Sequence, residues 1–447
     1  MNPEIYREYD IRGVIGEDIR EDEFIVLGKG FGTYFNRLGK RKIALGRDCR
    51  LSSAKIRDGV TEGLISTGCD VVDVGVCPTP TLYYAIRHLK ADGGIMITAS
   101  HNPPQYNGFK ICSGFDTIYG EEIQKVRRLI EKADFATGKG THSSYEIIEP
   151  YIDMITRDIK VVPGIRVGFD AGNGTGGPVG VKILRSLGCE VHDLYCDMDG
   201  SFPNHEPDPT VLDNMKDLIE EVRRHSLNLG IGVDGDGDRI GVVDSSGTIL
   251  FGDMLLLIFS RDILVEHPGA TIISEVKCSD RMYEDIEAHG GNAIMWKTGH
   301  SLIKNKMKES KALLAGEMSG HMFFADRYFG YDDAIYASCR LLEILSKTGK
   351  SLIELLEDVP KSYATPEIRV ECPDAKKFEL VDRLKDEFSK RYKIIDVDGV
   401  RIVFDDGWGL VRASNTQPVL VLRFEAQSKG RLDEIRTTVE RAIERFR

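Results

Sequence analysis

Several features of an exported, membrane-bound or nucleic-acid-binding protein are missing from this sequence. Its nine cysteines, at positions 49, 69, 77, 112, 189, 196, 278, 339 and 372, include no C-x-x-C pair. Thiols scattered singly through apolar segments indicate buried residues in a reducing compartment, which argues against a disulfide framework or a cysteine zinc site. The longest apolar run, Met254 to Phe259, is far too short to cross a bilayer, and the charged opening Met1-Asn2-Pro3-Glu4-Ile5-Tyr6-Arg7-Glu8 has no signal-peptide core. Net positive charge is also absent: 59 Lys plus Arg stand against 71 Asp plus Glu, a balance of −12. That field disfavours nucleic acid and anionic membrane as partners, so an anionic ligand would need a local basic site. No low-complexity tract occurs. These absences predict a cytoplasmic protein acting on small molecules. They leave the oligomeric state open, a monomer being compatible.

What is present is length and glycine. At 447 residues the chain exceeds one ordinary core, and residues-per-domain arithmetic gives about three domains. Much of the glycine, 46 residues in all, falls in short polar loops between apolar runs, which suits α/β architecture with ligands held at strand ends.

One pattern occurs three times: an apolar strand, a polar loop, an amphipathic helix, a Gly and a second apolar strand. The first copy runs through Lys42 to Asp48, a helix from about Ser53 to Thr67, Gly68, and Val71 to Val76. The second runs through Ile165 to Asp170, a helix after Pro178, Gly188, and Glu190 to Tyr195. The third runs through Thr271 to Val276, a helix from about Ser279 to His289, Gly290, and Asn292 to Trp296. Such spacing implies right-handed βαβ crossovers and largely parallel sheets, hence three similar domains. The C-terminal region differs. A helix from about Ala375 to Tyr392, with Phe378, Leu380, Val381, Leu384 and Phe388 as its apolar face, precedes strands at Val400 to Phe404, Trp408 to Arg412 and Val419 to Ala426, and a final helix from about Arg431 to Phe446. Strands joined by short turns predict an antiparallel sheet and a fourth, α+β domain.

Two segments imitate nucleotide sites. Gly172-Asn173-Gly174-Thr175-Gly176-Gly177 satisfies G-x-G-x-x-G between a strand and a helix, with Asp193 downstream, so a nucleotide-dependent oxidoreductase is the rival enzyme class. The segment is equally a tight polar turn. Gly349-Lys350-Ser351 resembles the end of a P-loop, but Ile344 stands where its first Gly belongs, and Gly349 fits a helix C-cap.

Four loops carry groups suited to chemistry. Thr98-Ala99-Ser100-His101-Asn102-Pro103-Pro104 leaves an apolar strand and presents a hydroxyl from a stiff loop, with His101 and Lys110 available to position an anion. Asp234-Gly235-Asp236-Gly237-Asp238-Arg239 places three carboxylates at alternate positions around flexible glycines, an all-oxygen set suited to Mg²⁺. It is not an EF-hand, because Arg239 and Ser245 stand where Gly and Glu are needed. Arg239 after the triad suits a metal-bound phosphoryl group. Gly316-Glu317-Met318-Ser319-Gly320-His321 offers a carboxylate for a vicinal diol, with Ser and His beside it. Arg412-Ala413-Ser414-Asn415-Thr416-Gln417-Pro418 concentrates phosphate-binding donors in one turn of an acidic protein. A non-catalytic sugar-phosphate binding module would keep this last loop but has no use for three aspartates.

Together these loops resemble the α-D-phosphohexomutase family, most closely its bacterial phosphomannomutase/phosphoglucomutase branch, over essentially the whole chain. Tyr9-Asp10-Ile11-Arg12-Gly13, Val276-Lys277-Cys278 and Lys297-Thr298-Gly299-His300 are further matching motifs. The resemblance implies three similar α/β domains with mixed, largely parallel sheets and a smaller C-terminal α+β domain around a central cleft. The expected ranges are 1–147 with the serine loop, 148–249 with the metal loop, 250–361 with the sugar loop and 362–447 with the phosphate loop. It implies an isomerase interconverting hexose 1-phosphate and hexose 6-phosphate, mannose and/or glucose, through a phosphoserine and a hexose 1,6-bisphosphate that acts as intermediate and activator. Ser100 would be the phosphoserine, holding one Mg²⁺ together with Asp234, Asp236 and Asp238. His101, Lys110, Arg12 and Arg239 would assist catalysis. Tyr9, Lys277, His300 and His321 would line the site, Glu317 and Ser319 would take sugar hydroxyls, and Arg412, Ser414, Asn415 and Thr416 would hold the distal phosphate. The motif G-E-M-S-G-H resembles the hexose branch; nothing in these loops reports the configuration at C2.

Overall fold

The computed structural model describes residues 1–414 and 418–446. Four sheets follow one another along the chain, and the first three repeat one topology. In the first, Lys42–Arg47 lies parallel to Asp70–Val76 on one side and to Gly93–Ile97 on the other, and Tyr106–Ser113 then pairs antiparallel with Gly93–Ile97. In the second, Arg166–Asp170 lies between Glu190–Leu194 and Leu229–Val233, and Ile240–Asp244 returns antiparallel. In the third, Thr271–Glu275 lies between Asn292–Trp296 and Leu314–Gly316, and Met322–Phe324 returns antiparallel. The shared spatial order is second, first, third, fourth strand.

Sequence chemistry explains the order. Gly93–Ile97, Leu229–Val233, Leu314–Gly316 and Met322–Phe324 are apolar throughout and buried along their whole length, as strands covered on both faces must be. Glu190–Leu194 mixes charge with apolar residues, Asn292–Trp296 opens on a polar Asn, and both are only partly buried, as suits the sheet edges they form. The fourth sheet is antiparallel throughout, built on Val400–Phe404, Gly407–Ala413 and Val419–Ala426 and packed against helices Asp374–Phe388 and Lys429–Phe446.

The expected elements are present with local differences. The helix placed after Pro178 starts earlier, at Gly176, because proline is tolerated in a first helical turn that needs no N–H. The helix predicted to reach Tyr392 ends at Phe388, and Phe378, assigned to its apolar face, is exposed while Lys377 is buried. Gly349 caps helix Ala334–Thr348 in the left-handed conformation, as its position predicts.

One continuous apolar cluster runs from Ala44 and Leu82 in the first unit through Phe169 and Ile231 to Leu256 and Phe324 in the third. The fourth unit has its own core around Leu384, Val400, Phe424 and Val439, and meets the third through Val276, Trp408 and Leu410. Among the described residues, no helix is long and apolar enough to cross a membrane, and every cysteine is unpaired.

Candidate active site

The repeated topology places the chemistry. Three of the four loops occupy the same position in their units, the turn from the third, parallel strand into its antiparallel partner. Ligands in open α/β sheets gather at the carboxyl ends of parallel strands, and these turns begin there.

Ser100 sits in its turn at φ 51°, a conformation L-residues seldom adopt, and is buried. The carbonyls of its loop are held by Arg50. Its Nη2 donates to the carbonyls of Ser100 (2.8 Å) and Asn102 (2.6 Å), its Nη1 to those of Pro103 (2.7 Å) and Tyr106 (3.1 Å), and its Nε to Asp48 Oδ2 (3.0 Å). Ser100 Oγ donates to Asp234 Oδ2 at 2.7 Å and lies 3.2 Å from His101 Nδ1. The contact between serine and metal loops requires glycine at 235: a Cβ there would stand 2.6 Å from the Ser100 carbonyl oxygen.

Asp234, Asp236 and Asp238 are fully buried, with one oxygen from each within 4.8 Å of the others. Asp234 Oδ1 accepts the backbone N–H groups of Asp238 and Arg239 at 3.0 and 3.1 Å. Asp236 Oδ2 accepts from Thr79 Oγ1 (2.5 Å) and Lys110 Nζ (2.7 Å), and Asp238 Oδ2 also accepts from Lys110. The remaining oxygens, Asp236 Oδ1 and Asp238 Oδ1, are buried without a partner. A buried carboxylate oxygen without a donor is costly, and several together in an all-oxygen set fit a hard dication such as Mg²⁺. Burial, then Asp238 and Asp236, push the Asp234 carboxyl well above its ordinary range. Burial works against the Lys110 ammonium, but Asp236 and Asp238 hold its pKa above the usual lysine value.

Arg239 and His321 join the second and third units: Arg239 Nε donates to His321 Nε2 at 3.0 Å, and their backbones form a bridge. His321 Nδ1 lies 3.3 Å from Asp332, its ring stacked 5.6 Å from that of His300. Asp332 also binds Lys304 at 3.0 Å and faces His300 at 3.6 Å. Burial, then Arg239 and Arg12, push His101 well below the usual imidazole range; burial, then Lys304, does the same to His300. In both cases burial disfavours the charged imidazolium. Arg12, on strand Ile11–Val14, reaches Asn102 Oδ1 and Asp10, each at 2.5 Å.

The remaining groups come from the third and fourth units and from Tyr9. Glu317 is buried, accepts Gly299 N–H at 2.7 Å, and has its pKa raised by burial. Lys277 Nζ meets Glu367 at 3.1 Å and Glu275 at 3.6 Å. Asp398 Oδ2 accepts from Arg412 Nε (3.0 Å) and Thr298 N–H (3.1 Å), and the Thr298 carbonyl accepts Tyr9 O–H at 3.0 Å. Tyr9, Arg412 and the Thr298–His300 turn are thus tied together across three units. Ser319 is half-buried, and the Ser414 N–H donates to the Val419 carbonyl. Asn415 and Thr416, expected in the phosphate loop, lie outside the described residues.

Arg50, Thr79, Lys304, Asp332 and Asp398 escaped the sequence analysis. For Arg50 and Thr79 a signal existed, since each follows a parallel strand's carboxyl end. The G-x-G-x-x-G segment serves the metal loop. Thr175 N–H donates to the Gly235 carbonyl at 3.0 Å, and a Cβ on Gly174 would stand 2.6 Å from that oxygen. Its glycines admit protein backbone where a dinucleotide fingerprint would admit pyrophosphate.

Comparison with known proteins agrees with this architecture. Family models match all four units: phosphoglucomutase/phosphomannomutase alpha/beta/alpha domain I over residues 3–137, domain II over 149–247, domain III over 251–363, and the C-terminal domain over 367–442. The chain is 46% identical over 434 residues to a phosphomannomutase/phosphoglucomutase of Pseudomonas aeruginosa, covering 97% of this chain and 94% of that protein. It is 43% identical to a phosphoglucomutase of Neisseria gonorrhoeae over 446 residues, covering 99% and 97%. A crystal structure of a phosphoglucomutase/phosphomannomutase family protein from Burkholderia thailandensis superimposes with a TM-score of 0.94 at 40% identity, covering 99% of this chain and 98% of that one. Fold, site and relatives together define an enzyme of the isomerase class. Within it, the chain belongs to the phosphoglucomutase/phosphomannomutase family.

Proposed function

We propose that this enzyme interconverts hexose 1-phosphate and hexose 6-phosphate, of mannose and/or glucose, using Ser100 as phosphoryl carrier. The observation that carries the proposal is Ser100 Oγ, 2.7 Å from Asp234 Oδ2 and beside an acidic trio with two unpartnered oxygens. Asp234, Asp236, Asp238 and the Ser100 oxygen would hold Mg²⁺, which supplies charge neutralisation at the transferring phosphoryl group. Phosphoryl transfer asks mainly for positioning and neutralisation, and this chain's own residues supply both. Arg50 fixes the serine backbone. Arg12, Arg239 and Lys110 bring positive charge to the same pocket. When Ser100 Oγ attacks a phosphoryl donor, His101 Nδ1, 3.2 Å away, is within reach to accept its proton.

Glu317 and Ser319 would take hydroxyls common to glucose and mannose, and Arg412 with Ser414 would hold the phosphate not reacting. With the serine fixed, returning a phosphoryl group to the other end of the sugar requires the 1,6-bisphosphate to turn around in the cleft. The named activities of the Pseudomonas and Neisseria relatives support the substrate class. Label supplied as hexose 1,6-[³²P]bisphosphate should appear on Ser100 of the intact protein, and Ser100→Ala should stay folded with turnover reduced to near background. Labelling of Ser100→Ala equal to wild type would sink the assignment.

A further inference from the structure

A second cluster of metal-ligand type shares no residue with the cleft. It joins the edge of the second sheet to a neighbouring helix: His192 lies on strand Glu190–Leu194, and Glu221 and His225 lie on helix Lys216–His225. We propose that His192, Glu221 and His225 bind a transition-metal dication of the zinc type, separate from the Mg²⁺ site.

The geometry is close to that of a bound ion. Glu221 and His225 are four residues apart, so one helix face presents both. His192 Nδ1 lies 3.0 Å from Glu221 Oε1, and His225 Nε2 lies 3.3 Å from the same oxygen. The three ligand atoms fall within 4.8 Å of one another. Tetrahedral zinc, with bonds of about 2.0–2.1 Å, has ligand–ligand edges of about 3.3 Å. Two edges of that figure are therefore nearly formed, and a modest turn of one imidazole closes the third. The rings already pack with centroids 4.8 Å apart, so little side-chain freedom remains to be lost on binding.

An outer ligand is also in place. Glu190 Oε1 lies 3.5 Å from His192 Nε2, the nitrogen facing away from Glu221. A carboxylate at the non-ligating nitrogen fixes the tautomer and orientation of a metal-bound histidine. The donor set, two imidazole nitrogens and one carboxylate oxygen, suits Zn²⁺, Co²⁺ or Ni²⁺, whereas Mg²⁺ prefers oxygen alone. His225 is 41% exposed, which leaves water access to the open coordination positions. The ion would staple the edge strand to the helix and stabilise the folded chain by mass action.

The test is a Zn²⁺ titration of the full chain in saturating Mg²⁺, so that the aspartates of the cleft are occupied, followed by calorimetry and thermal melting. One equivalent of Zn²⁺ should bind wild type and raise Tm, and both effects should vanish in His192→Ala/His225→Ala. Turnover in Mg²⁺ alone should be unchanged in that variant. Should the double variant fold poorly, His225→Ala alone, changed at an exposed helix end, should bind at least about tenfold more weakly. Co²⁺ in place of Zn²⁺ should give visible d–d absorption that the variants lack. Equal Zn²⁺ stoichiometry and affinity in wild type and variants would place the ion on cysteines or aspartates and overturn the proposal. Absence of binding to wild type would reduce the cluster to a hydrogen-bonded network and overturn it equally.

Discussion

Arg50 holds the Ser100 backbone from just beyond the carboxyl end of strand Lys42–Arg47. It is buried, it donates to four carbonyls of the serine loop, and Asp48 balances its charge. A guanidinium fork can serve four acceptors at once, whereas an ammonium has three donors and no fixed plane. Arg50→Lys should therefore keep the charge yet leave buried carbonyls unsatisfied, at a cost of about 1–3 kcal/mol in stability. Because the freed segment carries the proposed nucleophile, kcat should fall more steeply than KM rises. Urea melts and initial rates check this, and wild-type kcat in Arg50→Lys would refute it. The contrast with Ser100 itself is instructive. Ser100, the three aspartates, Glu317 and Arg412 lie in dense polar motifs between apolar strands, so they could be singled out from the sequence as candidates. Asp332 and Asp398 are single residues whose partners include Lys304 and Thr298, well removed in sequence, and only the fold brings them together.

Elements were legible where periodicity was strong. Val400–Phe404 and Val419–Ala426 occur as expected, and the three strand–helix–strand units recur. Very short strands such as Ile249–Leu250 escaped, since two residues carry no period. So did the equivalence of the three functional turns, because their sequences share nothing beyond polarity. Capping of helix Ala334–Thr348 depends on burial, which sequence does not reveal. Asp333 accepts Tyr336 N–H at 2.8 Å and the hydroxyls of Tyr151 and Tyr328, each at 2.7 Å. Those bonds favour the carboxylate, yet burial is the larger effect and pushes Asp333 up to about 6 from an ordinary 3.8. A carboxyl raised on folding binds its proton more tightly in the native state, so its contribution is fully present below about pH 4 and is lost as pH rises through 6. A shift of about two units corresponds to about 3 kcal/mol. Wild-type stability relative to Asp333→Asn should accordingly decline by up to that amount between about pH 4 and 7. A difference in unfolding free energy that stays flat across this window would contradict the assignment.

At the scale of the whole molecule, one apolar cluster runs through the first three units, while the fourth attaches through a small apolar contact at Val276, Trp408 and Leu410 flanked by polar bonds. Arg401 lies 3.6 Å from the Trp408 ring and donates to the carbonyls of Val276 (2.6 Å) and Cys278 (2.9 Å), on either side of Lys277. Arg423 donates to the Lys277 carbonyl, and Asp398 links Arg412 to Thr298. The fourth unit thus holds both its own arginine and the third unit's lysine in register with the cleft. In the proposed reaction one serine would serve both ends of a sugar. If the bisphosphate turns around, Arg412 must bind whichever phosphate is not reacting, in both halves of the cycle. A charge-assisted contact of this kind is worth about 1.5–3 kcal/mol, so Arg412→Ala should lower kcat/KM roughly 10- to 150-fold. The loss should be nearly equal starting from the 1-phosphate or the 6-phosphate, since each direction uses the same arginine on the opposite end. Steady-state kinetics of the variant in both directions provide the measurement. A large loss in one direction beside wild-type efficiency in the other would mean that Arg412 serves a single orientation, and that a different group receives the phosphate after the turn.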